Sequence, residues 1–245
     1  MTQSSERIDV PLAGLDGPEH LSRPAAGQSP APAYARQWWR SGLLPAALLS
    51  LAFFLYALPP YLSLDPGQAR IAYLQRDVWW HYPALVAHIA FGTVALTTVV
   101  LQMWTWLRVH HPRVHRISGR LYIFGGVLPS GLLALLITPF AGGPVGDAVE
   151  GVVWLGTTFY ALKMVRRGDF ARHRRWMMFS YALCAQVIWG RIIIITLTLT
   201  VPTWLTNNFA LVLEAASWVG MMINVVIAQW WYEHTAKRPL AIRPA

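Results

Sequence analysis

Charge is what this chain has least of. Only 13% of its 245 residues are Asp, Glu, Lys or Arg, against about a quarter in a soluble domain. That is too little to cover a water-facing surface, so an ordinary soluble fold is excluded. Cysteine is nearly absent. The single Cys184 sits in an apolar run with no partner for an intrachain disulfide or a CxxC pair. It leaves the redox compartment unread and is expected as a small buried side chain. Also missing are HExxH, a GxGxxG fingerprint, a Walker A loop and a nucleophile elbow, so no known catalytic motif marks the chemistry. No internal repeat and no pair of broken transporter helices stands out.

What is present is apolar length. The chain is 55% hydrophobic with mean hydropathy +0.39, and its 13 tryptophans suit the headgroup level of a bilayer. Residues 1–36 hold five prolines and three glycines without a periodic apolar run, the composition of a disordered tail. No signal peptide is expected, because the first apolar stretch begins near Leu43 and no small-x-small site follows it. Six apolar segments come next, at 43–62, 83–107, 120–139, 146–162, 176–199 and 209–231. A helix needs about 20 residues to cross hydrocarbon. The runs are continuous rather than alternating, which excludes a sheet barrel. The expected fold is all-α, a polytopic membrane bundle of six transmembrane helices over 37–235, with a four-span core at about 80–200 and a short tail at 236–245. Pro129, near Gly131, is a candidate kink in the third span.

Basic residues give the orientation. The net charge is +9 and the pI about 10.2, but the charges hug the ends of apolar segments and leave no soluble basic domain for nucleic acid. Seventeen of the 20 Lys and Arg residues fall on one side of the alternation. They lie in the N-terminal tail (Arg7, Arg23, Arg36, Arg40), the second and fourth connections, and the C-terminal tail (Lys237, Arg238, Arg243). Arg70 and Arg76 fall on the other side, and Arg191 lies inside a span. The positive-inside rule then puts both termini in the cytoplasm of a multi-pass protein of the cell's inner membrane.

With sidedness assigned, helical rise gives depths. His88 sits about 8 Å below the outer boundary and Arg191 about 22 Å up from the inner one. Glu214 is five residues into the last span. These three share an outer layer, where ionisable groups are costly and tend to pair. An Arg191–Glu214 ion pair with His88 nearby is the expected arrangement. The inner layer has two helix starts carrying a histidine followed by arginine, His115-Arg116 and His173-Arg174. Free N–H groups and the positive dipole end suit an anion there. With Arg120 added, the arginines suit a carboxylate, a phosphate or a lipid headgroup. His115 and His173 at one depth could clasp a metal or a haem iron. Asp169 is expected either to cap its helix or to orient His173.

The combined motifs resemble a family of bacterial predicted membrane proteins known as a domain of unknown function. The likeness rests on His88, then on His115, Arg116, Gly119, Arg120 and Tyr122. It continues through Gly168, Asp169, His173, Arg174, Trp176, Met177 and Ser180 to Leu183, and then Arg191. It covers about residues 80–195. Phe179 departs from it, since the family usually has arginine there. The resemblance implies fold and topology, with no activity attached. The four-span core is also similar, at fold level only, to membrane b-type cytochromes. Two-haem members of that group need two histidines at each depth. Here the outer layer offers His88 with only His81 at the span's edge, which leaves one haem b between His115 and His173.

Three functions follow. The first is a haem-binding redox protein taking electrons from a cytoplasmic donor or a membrane quinol, oxidoreductase-like if it is an enzyme. The second is a membrane enzyme or binder for an anionic lipid or amphipathic small molecule, using the same His/Arg cluster. The third is a proton-coupled permease using His88, Arg191 and Glu214.

Overall fold

The computed structural model describes residues 43–71 and 73–236. The expected N-terminal tail at 1–36, the C-terminal tail beyond residue 236 and the basic residues counted there lie outside the described residues. Among the described residues every regular element is helical. Continuous apolar runs fold this way because their N–H and C=O groups must bond within the segment.

Helix α1 (Leu43–Ala57) ends ahead of Pro59 and Pro60, whose rings cannot continue the ladder. Helix α2 (His81–Met103) is stopped by an extended Trp104, and a short helix, Thr105–His110, follows. The single run expected at 83–107 is therefore two helices. Helix α3 (Pro112–Tyr122) begins eight residues before the apolar run does. Its first turns carry Arg113, His115 and Arg116, so a search for apolar runs passes over them. A π-helical turn at Ile123–Val127 follows, in which Leu128 N–H bonds back to Ile123 C=O. Helix α4 (Leu128–Ile137) continues the span. Pro129, the candidate kink, stands in the first turn of α4 just after this turn, which holds Gly125, the residue whose carbonyl the proline ring would otherwise meet.

Helix α5 (Pro144–Arg166) meets α6 (Phe170–Cys184) through a tight turn. Gly168 adopts φ +75 there, and Gly168 N–H and Asp169 N–H bond to Val165 and Met164 carbonyls at 3.1 and 3.0 Å. This is a left-handed helix stop that favours glycine. Helix α7 (Gln186–Thr200) continues past a break at Ala185, and α8 (Phe209–Ala236) closes the chain.

Helix α2 packs on α3 and α4, α5 on α6, and α8 along α5, α6 and α7. The interior holds Ala95, Val99, Tyr122, Val127, Ala161 and Leu183. One close approach is at Gly126, where a Cβ would lie 2.9 Å from Ala95 Cα. Leu55, Leu132, Val152, Leu199 and Val226 point outward, an apolar exterior suited to lipid. Among the described residues, four helical segments are long and apolar enough to cross a membrane: His81–Met103, Pro112–Phe140, Phe170–Thr200 and Phe209–His234. Helix α5 is as long as α2 but carries Asp147, Glu150, Lys163 and Arg166, while α1 has 15 residues. The turns around residues 104–111 and 167–169 form a basic end. Those around 63–80, 138–143 and 201–208 form the distal end.

Candidate functional site

His115 and His173 both stand at the basic end. Each sits in the first turn of its helix, α3 and α6, which both start there. They are close enough for their charges to interact. His173 Nδ1 lies 2.9 Å from the Ala161 carbonyl on α5. A carbonyl only accepts, so Nδ1 carries the proton and Nε2 keeps its lone pair. His115 Nδ1 is buried and has no hydrogen-bond partner among the described residues. Its backbone carbonyl is held by Gln102 Nε2 at 2.9 Å, and the same nitrogen reaches Ser118 Oγ at 2.6 Å. The His115 backbone is therefore fixed from α2, while its ring nitrogen is left unanswered, a rare condition for a buried polar atom.

Arginines surround this pair. Arg108, on the short helix after α2, lies within charge range of His115, Arg174 and Tyr181. Burial first, and then the Arg174 guanidinium, push the Arg108 pKa below its ordinary value. Neither guanidinium has a carboxylate within 4 Å among the described residues; the ion pair found there is Arg172–Asp169, at 3.4 Å. Two cations with no anion between them form a place an anion would stabilise. Arg116 and Arg120 are exposed. Asp169 caps α6, accepting from Arg172 N–H at 2.9 Å. It does not orient the His173 ring; the Ala161 carbonyl does.

Deeper in the bundle lies a closed hydroxyl ring. Trp154 Nε1 donates to Tyr122 Oη at 3.3 Å. Tyr122 Oη and Ser180 Oγ are 2.6 Å apart, as are Ser180 Oγ and Thr158 Oγ1. Thr158 donates to the Trp154 carbonyl at 2.7 Å. With both ends fixed at Trp154, each hydroxyl donates to the next in one direction. The ring ties α3, α5 and α6 together. Tyr122 and Ser180 belong to the sequence motifs, but depth reasoning on ionisable groups overlooked them. Arg108 is one of the basic residues of the second connection, and nothing in its sequence context sets it apart.

The distal end corrects one expectation. Arg191 and Glu214 form no ion pair. The Glu214 carboxylate accepts from Gly146 N–H at 2.8 Å, Val145 N–H at 3.2 Å and Trp218 Nε1 at 2.7 Å. It closes the start of α5, where free N–H groups and the dipole attract a carboxylate. Both residues flank Asp147, so they share an end without sharing a bond. His88 turns to α4 instead, with Nδ1 2.9 Å from the Ser130 carbonyl.

Among the described residues no group of three or more His, Cys, Asp or Glu could hold a bare metal ion. Two histidines alone leave most of a metal ion's coordination positions to other ligands.

The fold defines a helical, multi-span membrane protein with a buried polar interior and a histidine–arginine cluster at one end. The chain belongs to the family described as Predicted membrane protein (DUF2306), which matches residues 85–232, from α2 into α8. No curated protein and no solved structure matches it.

Proposed function

We propose that this is a haem-binding membrane redox protein, with His115 and His173 as the axial pair. The observation that carries this reading is the buried, unpartnered Nδ1 of His115, at the same end of the bundle as a His173 whose Nε2 is free. The donor set fits the group. Neutral imidazole is a haem-iron ligand, and a second nitrogen donating to a carbonyl is the usual support for such a ligand. Haem b supplies one-electron chemistry when bound. The chain's own residues do the rest. The Ala161 carbonyl fixes the His173 ring, and Gln102 fixes the His115 backbone. Arg108 and Arg174 offer the uncompensated charge that two propionates would satisfy, and their charge favours the reduced state. Arg116 and Arg120, exposed at the same end, suit an acidic electron donor, while a quinol would reach the site from the bilayer.

We further infer six spans, with α1 and α5 completing the four apolar ones, and both termini and the basic end in the cytoplasm of the cell membrane. The placement of 17 of 20 Lys and Arg residues supports this. A second reading draws on the Arg108–Arg174 pair: the same cluster binds the head of an anionic lipid or amphiphile. The permease reading loses support, because Glu214 is committed to α5.

The test is an absorption spectrum of the detergent-purified protein, oxidised and then dithionite-reduced, beside His115→Ala and His173→Ala. The expected result is a Soret band that sharpens on reduction and is lost in both variants. A colourless protein, expressed with ample haem, refutes the haem reading and leaves the anionic ligand.

A further inference from the structure

We propose that residues 73–80 form an acid-released lid over a distal cavity, latched by the hydrogen bond between the Gln75 backbone N–H and the His81 ring. The Gln75 nitrogen lies 3.0 Å from His81 Nδ1. A backbone N–H only donates, so Nδ1 keeps its lone pair and the ring proton sits on Nε2. The ring is buried, at 1% exposure, in the first turn of α2. Its centroid lies 4.9 Å from that of Phe140 and 6.1 Å from that of Trp80, and Trp80 meets Phe140 at 5.7 Å. Among the described residues no other hydrogen bond ties residues 73–77 to a helix, since Gln75 Nε2 and the Val78 N–H bond only within the loop.

The loop also closes a space. Tyr73 stacks on Phe209 at the start of α8, with ring centroids 6.1 Å apart. It lies so close over Gly142 that no Cβ would fit there. Together with Thr198, Pro202, Leu205, Thr206 and Phe209 it walls a cavity of about 440 Å³. Leu74 alone separates Tyr73 from Gln75, so the cavity wall and the latch are held by one short piece of chain.

Protonation undoes the latch. An imidazolium carries a proton on both nitrogens, so Nδ1 would meet the Gln75 N–H donor to donor, and the buried charge would have no partner. Trp80 and the Thr138–Phe140 turn bring no charge to the ring. Arg76, Asp77 and Tyr82 flank it in sequence, and Asp147 and Glu214 share the distal end, yet no ionised group acts on it. Histidine changes charge between about pH 5 and 8, so the bond is present when the ring is neutral and is lost as acid titrates it. With the basic end in the cytoplasm, the lid answers to the opposite side of the membrane.

A nitroxide at the exposed position of Arg76, placed by Arg76→Cys in a Cys184→Ala background of the full chain in detergent, reads the lid. One placed by Val152→Cys, exposed on α5, is the control. The label at position 76 is expected to be held at about pH 8 and several-fold more mobile at about pH 5, with position 152 unchanged. His81→Asn, whose side-chain oxygen accepts a hydrogen bond but takes up no proton, should hold the lid at both. No change at position 76, an equal change at position 152, or a response that survives in folded His81→Asn overturns the proposal. If His81→Asn does not fold, the Gln75 amide resonance of protein carrying isotope-labelled glutamine decides. It is expected to move with the same midpoint as the label, and a fixed resonance overturns the proposal.

Discussion

Replacing Ser180 with alanine should destabilise the folded protein by about 1–2 kcal/mol. Ser180 is fully buried and occupies the middle of the ring, accepting from Tyr122 and donating to Thr158. Without its oxygen, Thr158 still donates to the Trp154 carbonyl, so that hydroxyl stays satisfied. The Tyr122 hydroxyl is left with a buried proton and nowhere to send it. Side-chain hydrogen bonds within membranes contribute about 0.6 kcal/mol on average and up to about 1.7, and an orphaned donor in a fully packed interior belongs at the upper end. Tyr122→Phe strands the Trp154 indole N–H instead. In the double variant the Tyr122 donor is gone, so Ser180→Ala costs less than it does alone. The double-mutant cycle, read by reversible unfolding in mixed micelles, should show about 0.5–1.5 kcal/mol of coupling. Additivity within about 0.3 kcal/mol would refute the closed ring.

Two further predictions concern the scaffold. Gly126→Ala puts a methyl 2.9 Å from Ala95 Cα, and forcing α2 away from the π-helical turn should cost about 1–3 kcal/mol; a drop of a few degrees or more in thermal midpoint is expected, and an unchanged midpoint would mean the crossing is loose. Asp169→Ala removes the cap of α6 and its bond to Arg172 N–H, a loss of about 1 kcal/mol, while Asp169→Asn should restore most of it because a neutral oxygen also accepts.

The helices were legible because hydrocarbon demands continuous apolar runs, and each expected segment contains one. Their ends were less so. The start of α3 is polar, and only the helix itself shows that Pro112 rather than Arg120 opens it. The Gly168–Asp169 turn could be read directly, since glycine and aspartate serve helix stops and starts by known local chemistry. The Arg191–Glu214 pairing failed for a geometric reason. Helical rise gives depth but not the direction in which a side chain points, and the free N–H groups at Gly146 and Val145 claimed the carboxylate. The hydroxyl ring was missed because Ser, Thr and Tyr carry no charge to flag them at depth. That His115 and His173 stand at one end of the bundle follows from their shared depth alone. The direction of each ring, set by Ala161 and left open at His115, required the folded chain.

The π-helical turn has a phasing consequence. Tyr122 and Ser130 are eight residues apart, and both are completely buried. In an uninterrupted α-helix that spacing would leave them about 80° out of step. The extra residue taken up at Ile123–Val127 brings them back to one side. One can then join the ring to α5 and α6 while the other receives His88 from α2. The segment thus acts as a vernier between two polar anchors, and its tolerance is measured in whole residues. Side-chain changes within 123–127 leave the phase intact, and losing one residue there lets the turn close to a plain α-helix with the two anchors within about 20° of step, whereas gaining one swings every group beyond it by about 100°.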